Sequence, residues 1–303
     1  MAQLYQRRCR LLISVPVDTP GDFTHTTTNE IEINGGVTDI VGKPGMRVTF
    51  NITRTDKKEP NTNKVVVTNL SASTRSALQT KGVKLTLEAG YASVGTTRIF
   101  RGDVRTVDHV RNDASWDTTF QVGDGERAYQ NARVGESFAP GTNGNVILNY
   151  LANASGLQIG NVADVDLSRV RFDSGYVVAG KWQQAMQRFC ASVGYSWSVQ
   201  DETLQVLAPD GEQPGLIPLI SPQTGLIGSP EMGSPETKGK PQLVKFVSLL
   251  KPARPGGLVH LKSDRYDSDV RIKKVNMRGD THGDDWYTEY EGIIQKTPTA
   301  TKS

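Results

Sequence analysis

Alternation with a period of two residues constrains this chain more than any other feature. In Met46–Arg54, Val48, Phe50 and Ile52 alternate with Arg47, Thr49, Asn51 and Thr53. Val83, Leu85, Leu87 and Ala89 alternate in the same way with Lys84, Thr86 and Glu88. A pleated strand sends successive side chains to opposite faces, so both runs read as strands with one wet face. Between them, Val65–Val67 is a β-branched run that closes at Thr68-Asn69-Leu70. Ser71 is placed to cap a short helix over residues 71–80, because its hydroxyl can accept from a first-turn amide. Gly82 supplies the positive φ that a helix end often needs. After a turn at Ala92–Thr96, a returning strand carries Phe100, Val104 and Thr106 on one face and Arg101, Asp103 and Arg105 on the other. A strand led by Trp116 follows, sharing its face with Thr118, Phe120 and Val122. Six or seven strands, one short helix and no parallel βαβ rhythm predict an antiparallel barrel or sandwich over residues 1–125.

The character changes beyond Gly125. Asn145–Ser155 reads as a helix with Ile147, Tyr150, Leu151 and Ala154 on one face and Gly156 as its stop. Lys181–Val193 is a second helix, with Trp182, Ala185, Met186, Phe189, Cys190 and Val193 in one apolar stripe and Gly194 at its end. A buried helix needs that stripe for packing, and core is the reading it favours over a cofactor wall. A hairpin turning at Gln200-Asp201-Glu202 completes a small α/β insert over residues 126–210. Ser221–Pro241 is rich in Pro, Gly and Ser, which reads as a long surface loop or linker.

Residues 211–303 then repeat the first segment weakly. Lys245–Leu250 resembles the strand before Ser71, and Gly256-Gly257 precedes LVHLKS as Gly82 precedes VKLTLEAG. Asp269–Met277 corresponds to RIFRGDVRTV, and the Trp286 strand corresponds to the Trp116 strand. Both tryptophans open the apolar faces of their strands, which predicts that both are buried. The fold class expected is mainly β (α+β), with two antiparallel β-barrel domains flanking the insert. At 303 residues the chain exceeds one ordinary core.

Little in the sequence points to chemistry. Net charge is +3 on 67 charged residues, so no single-sign field favours nucleic acid or a membrane surface. Cys9 and Cys190 sit among apolar neighbours at no metal spacing and read as buried free thiols of a reducing compartment. The start, MAQLYQRRCRLLISVPVD, is basic and then apolar, but Ser14 and Pro16 break the apolar run and a first strand is expected there. No run approaches the ~18 apolar residues of a membrane-spanning helix. The four histidines are scattered, and GDTHGDDW (Gly279–Trp286) is better read as a turn than as a metal site. No nucleophile elbow, phosphate loop or dinucleotide fingerprint occurs, so no enzyme, metal or cofactor is expected. The basic faces Arg101/Arg105 and Arg271/Lys273/Lys274 are interleaved with Asp103 and Asp269 and read as solvated or partner-facing strands.

Several segments in order resemble the baseplate hub proteins of contractile-tailed bacteriophages. They are VTFNITRT (Val48–Thr55), VTNLSASTRSAL (Val67–Leu78), LEAGY (Leu87–Tyr91), IFRGDVRTV (Ile99–Val107), GKWQQAMQRFCASVGYSWSVQDETLQVL (Gly180–Leu207), TGLIGSPE (Thr224–Glu231) and GDTHGDDWYTEYEG (Gly279–Gly292). Residues 18–45 fit poorly. The resemblance implies two tail-tube-like domains per chain and a homotrimeric ring that adapts a sixfold tail tube to a threefold spike. It implies a place in the virion, at the tail baseplate, after assembly in the host cytoplasm. The partners implied are the chain itself, the tail tube protein, the tail spike, the tape-measure protein and other baseplate proteins. DNA would be passing cargo only. Arg101, Asp103, Arg105 and Lys273 are then the candidates for channel-facing positions. The alternatives are another adaptor ring of the tail tip, the equivalent part of a contractile secretion system or bacteriocin, and a tail-associated cell-wall hydrolase. A carbohydrate-binding β protein is a further alternative.

Overall fold

The protein is seen in a computed structural model that describes residues 6–17, 27–36, 45–56, 63–125, 131–160, 165–208, 211, 217–233 and 242–295. The first β-unit contains β1 (Arg7–Val17), β2 (Thr27–Gly35), β3 (Val48–Thr55), β4 (Asn63–Thr68), β5 (Lys84–Tyr91), β6 (Gly95–Asn112) and β7 (Ser115–Gly123). They lie side by side in the order β3-β4-β7-β6-β5-β1-β2. The insert carries β8 (Arg133–Phe138) to β14 (Thr203–Leu207). The second β-unit follows with β15 (Leu219–Ile220), β16 (Leu226–Met232), β17 (Leu243–Leu249), β18 (Leu258–Lys262), β19 (Asp267–Asp280) and β20 (Trp286–Ile294). Its order is β16-β17-β20-β19-β18-β15; the first five repeat β3-β4-β7-β6-β5, whereas β15 pairs parallel with β18 where β1 pairs antiparallel with β5, and β2 has no counterpart among the described residues.

The correspondence reaches single hydrogen bonds. Asn69 N–H donates to the Trp116 carbonyl at 2.7 Å, and Leu250 N–H to the Trp286 carbonyl at 3.3 Å. Val104 N–H donates to Val83 and Ile272 N–H to Gly257, both at 2.9 Å. Each long strand also carries one β-bulge at the same place, between Val104 and Thr106 in β6 and between Ile272 and Lys274 in β19. Counting from the bulges, Val107 matches Val275, His109 matches Met277 and Arg111 matches Gly279.

The two units are not separate bodies. The C-terminal half of β19 pairs antiparallel with β3, from Lys274 opposite Thr55 to Asp280 opposite Thr49. This joint merges them into one 13-stranded sheet over one hydrophobic core, which includes Leu11, Ile13, Val48, Ile52, Val65, Leu85, Phe100, Phe120, Val270, Val275 and Met277. Burying each such side chain is worth roughly 1.5–3 kcal/mol. Phe50 and Trp286 meet edge-on across the joint with ring centroids 5.4 Å apart. Gly279 lies beneath both rings, where a Cβ would collide with Phe50.

The insert has its own core. Helix α2 (Gly144–Ala154) is capped by Asn143, whose side chain accepts from Val146 N–H, and helix α3 (Trp182–Val193) ends at Gly194 with φ 77°. Trp182, Met186, Phe189 and Cys190 pack against Leu148, Leu151, Trp197 and Val206. Both cysteines are buried free thiols, and burial pushes the Cys190 thiol up to about 12.

Several expectations are corrected. Helix α1 (Ala72–Ala77) is capped by Ser71 as expected but ends before Leu78. The Thr80 hydroxyl donates to the Ala77 carbonyl there, and the positive φ of Gly82 belongs to the turn entering β5. The bulge at Arg105 reverses the alternation, so Val107 rather than Thr106 packs on the core. Asp103, expected on a wet face, is buried on a strand paired on both sides. Trp286 is buried, whereas Trp116 is half-buried under the Arg75 guanidinium, 4.3 Å from its ring. Part of the expected linker is structured: Pro222–Thr224 forms a 3-10 turn and Leu226–Met232 is β16. Gly228 at φ 68° and Pro230 open an irregularity in β16 that hides the alternation. The rest of that linker, residues 234–241, lies outside the described residues, as do most of the poorly fitting residues 18–26 and 37–44.

Candidate functional site

The alternation of β3 that buries Val48, Phe50 and Ile52 also points Arg54 inward, where it is 1% exposed. Its guanidinium donates to the Ile99 carbonyl at 2.7 Å and to the Asp201 carboxylate at 2.6 Å. Asp201 comes from the insert, at the tip of the hairpin between β13 (Ser196–Gln200) and β14. This two-residue turn holds Asp201 and Glu202 at φ 53° and 61°, the geometry that matches the twist of the flanking strands. Asp201 also accepts from Arg101 N–H at 3.1 Å and lies 3.4 Å from the Arg254 guanidinium of the second unit. Glu202 pairs with Lys84 and, at 3.0 Å, with Arg101. One hairpin tip therefore engages both β-units beside their joint.

Asp124 sits beneath this tip and accepts Asp201 N–H at 3.2 Å. Burial pushes its carboxyl up to about 7; Arg54 opposes the rise and Asp201 adds to it. A raised carboxyl pKa often marks catalytic sites. Here the group is 1% exposed, within a salt-bridged junction. The arrangement holds the insert against the β-units.

At the opposite end of the joint, the loop Gly279–Trp286 is held as the turn the sequence predicts. Arg47 pairs with Asp280 at 2.6 Å, and Arg7 donates to the carbonyls of Asp280, Gly283 and Asp284. His282 N–H donates to Asp280 at 2.9 Å, so this carboxylate is committed to the turn. Burial opposes its ionisation, but the hydrogen bond and charge of Arg47 together with the His282 and Gly283 amides outweigh this and hold Asp280 below the usual range.

Between these ends, the sheet presents a continuous polar face. One row runs Tyr287–Arg278–Asn51–Lys64–Gln121–Thr106 across both units without a break, and the next runs Thr49–Val66–Thr119–Asp108 within the first. A groove of about 330 Å³ lies on the second-unit part of this face, lined by Glu231, Lys245, Lys274, Glu289, Glu291 and neighbours.

The four sequence candidates separate. Arg101 faces the insert through Glu202, and Asp103 is buried. Arg105 and Lys273 occupy the same bulge position in the two units, beside the polar face, with the Arg105 guanidinium over Gly123. Sequence reasoning missed Arg54, Asp124 and Asp201. The parity of β3 carried the signal for Arg54; a turn aspartate gives no sign of what it will meet.

No protein-family model matches the sequence, and no curated protein does. Solved structures match over nearly the whole chain. The 43 kDa tail protein of prophage MuSo2 from Shewanella oneidensis has a TM-score of 0.59, covering 94% of this chain and 96% of its own at 8% identity. The tail protein from Neisseria meningitidis MC58 has a TM-score of 0.56, covering 93% and 96% at 10% identity. The fold is that of these tail proteins. A component of the E. coli type VI secretion system, described as similar to two T4 bacteriophage tail proteins, has a TM-score of 0.57, covering 82% and 74% at 9% identity. No helix among the described residues is long and apolar enough to cross a membrane.

Proposed function

We propose that the chain is a structural hub of a phage tail baseplate, a homotrimeric ring that adapts a sixfold tail tube to a threefold spike. The observation that carries this reading is the duplicated β-unit joined edge to edge within one chain. Three chains with two equivalent units each supply six similar wall segments, while the insert occurs once per chain and marks threefold symmetry. The polar rows of the sheet suit the inner wall of a channel that tape-measure protein and DNA would cross, with Arg105 and Lys273 beside that wall. The domain limits follow the same division: residues 1–125, 126–210 and 211–303. The likeness to a type VI secretion component favours a second reading within the same class, the equivalent ring of a contractile secretion system.

Light scattering across a concentration series, with negative-stain class averages, tests the reading. A mass of three chains and hollow views with six similar lobes are expected. A hydrolase would instead degrade peptidoglycan and lose that activity when a carboxylate is replaced; such a result would end the structural reading.

A further inference from the structure

The internal joint has a geometric counterpart at two open strand edges. Strand β19 has two halves. Its first half pairs with β18 (Leu258–Lys262 against Asp267–Arg271) and its second half, on the same side, pairs with β3 of the first unit. The counterpart β6 has the same two halves. Its first half pairs with β5 as far as Asp103, but beyond Val104 no strand among the described residues lies on the side away from β7. The counterpart of β3 is β16, which among the described residues pairs only with β17 and forms one edge of the sheet. The chain thus ends in two complementary halves of a joint it has already made once internally.

We infer that the open half of β6 (Thr106–Asn112) pairs antiparallel with β16 of a second copy of this chain, in the register of the internal joint. This rests on the ring reading for its partner and goes beyond it in naming the strands and the register. The equivalences follow from the shared ladders. Val48 opposite Val67 corresponds to Leu226 opposite Ser248, and Asn51 opposite Lys64 corresponds to Glu231 opposite Lys245. Transferring the internal pairs Arg278–Asn51, Met277–Ile52 and Asp280–Thr49 gives Val110 opposite Glu231, His109 opposite Met232 and Asn112 opposite Ile227 of the second copy.

A second observation points to the same edges. Val110 is 52% exposed and Ile227 45% exposed, two large apolar side chains left in solvent on the two unpaired edges. In this register they fall on the same face of the new ladder as diagonal neighbours, close enough to cover each other. Strand β2 also has an open edge, but it has no counterpart in the second unit, and the duplication assigns it no partner.

The internal joint also selects the test pair. Thr281 N–H donates to Val48 and Asp56 N–H to Lys273, so Arg278–Asn51 falls between hydrogen-bonded pairs. Its counterpart, Val110–Glu231, is then a closely spaced, non-hydrogen-bonded pair, which suits a disulfide. Within one chain the two positions are seven strand spacings apart, about 30 Å along the sheet, too far to bridge.

The full chain with Val110→Cys and Glu231→Cys is oxidised mildly and run on a non-reducing denaturing gel, with its native mass measured in parallel. A covalent trimer is expected. The single variants and an out-of-register control, Thr106→Cys with Glu231→Cys, are expected to give none. A native trimer without the in-register cross-link, or with equal cross-linking by the control, overturns the joint and leaves the ring reading standing. A chain that stays monomeric up to millimolar concentration overturns the ring reading and the joint together. Val110 and Glu231 are both exposed, so the variants retain the fold, and an unchanged circular dichroism spectrum verifies this.

Discussion

The two β-units share strand order, bulge positions and ladder hydrogen bonds, yet their open strand edges meet different fates. In β19 the second half is covered by β3, and the residues there are those of a core: Met277 and Ile52 are buried, and Gly279 is the small residue that Phe50 and Trp286 require. In β6 the same stretch carries His109, Val110 and Arg111, half-buried or exposed. One ladder position is filled with packing residues where the contact is permanent and with mixed residues where the edge is open. Edge strands with charged side chains resist indiscriminate pairing, while an apolar residue or two can favour one intended partner. The difference teaches that the duplication repeats one strand geometry, while side-chain choice closes one edge and leaves the other open.

The largest expected effect tests the lock beside the closed joint. Asp201→Ala removes the carboxylate hydrogen-bonded to the buried Arg54 guanidinium, and this should cost about 3–5 kcal/mol in denaturant-induced unfolding. A loss below about 1 kcal/mol would show that the insert hairpin does not secure the junction.

Next in size is a direct comparison of counterparts. Ile52→Ala in the closed joint removes a fully buried side chain and should cost about 2–5 kcal/mol. Met232→Ala, its counterpart on the open edge, should cost less than about 1 kcal/mol in the dissociated chain. Equal losses would erase the distinction between a filled and an open joint.

A further test concerns pH. Asp124 occupies the position that Ile294 fills in the second unit. Its folded pKa of about 7 exceeds its ordinary value of 3.8. The folded chain therefore holds a proton that the unfolded chain releases. Its contribution is complete below about pH 4 and is lost as pH rises to about 7. Unfolding midpoints measured across that range should decline in the natural chain. Asp124→Asn keeps an acceptor for Asp201 N–H and should flatten the slope; an unchanged slope would place the titration elsewhere.

Much of this fold was legible in the sequence, because alternation reports burial directly. The cores of β3, β5 and β7, both insert helices and the hairpin turning at Asp201 were all readable from spacing. The duplication was readable at Trp116 and Trp286 and at the glycines before β5 and β18. What was hidden has physical causes. A bulge shifts the parity without a composition signal, which misplaced Thr106. Strand β16 contains Gly228 and Pro230, which resemble loop chemistry until β17 is seen beside them. Arg54 followed the parity of its strand, but its charge argued for the surface. Only the hairpin tip carrying Asp201, almost 150 residues away, explains its burial.

Hydrogen exchange at single-residue resolution tests the central claim most directly, by comparing β6 from Thr106 to Asn112 with β19 from Lys274 to Asp280. In the dissociated chain, the β19 amides facing β3 should be protected, whereas the β6 amides facing away from β7 should exchange rapidly. On assembly those β6 amides should become protected together with β16. Open-edge amides of β6 that remain unprotected in the assembled ring would contradict the account.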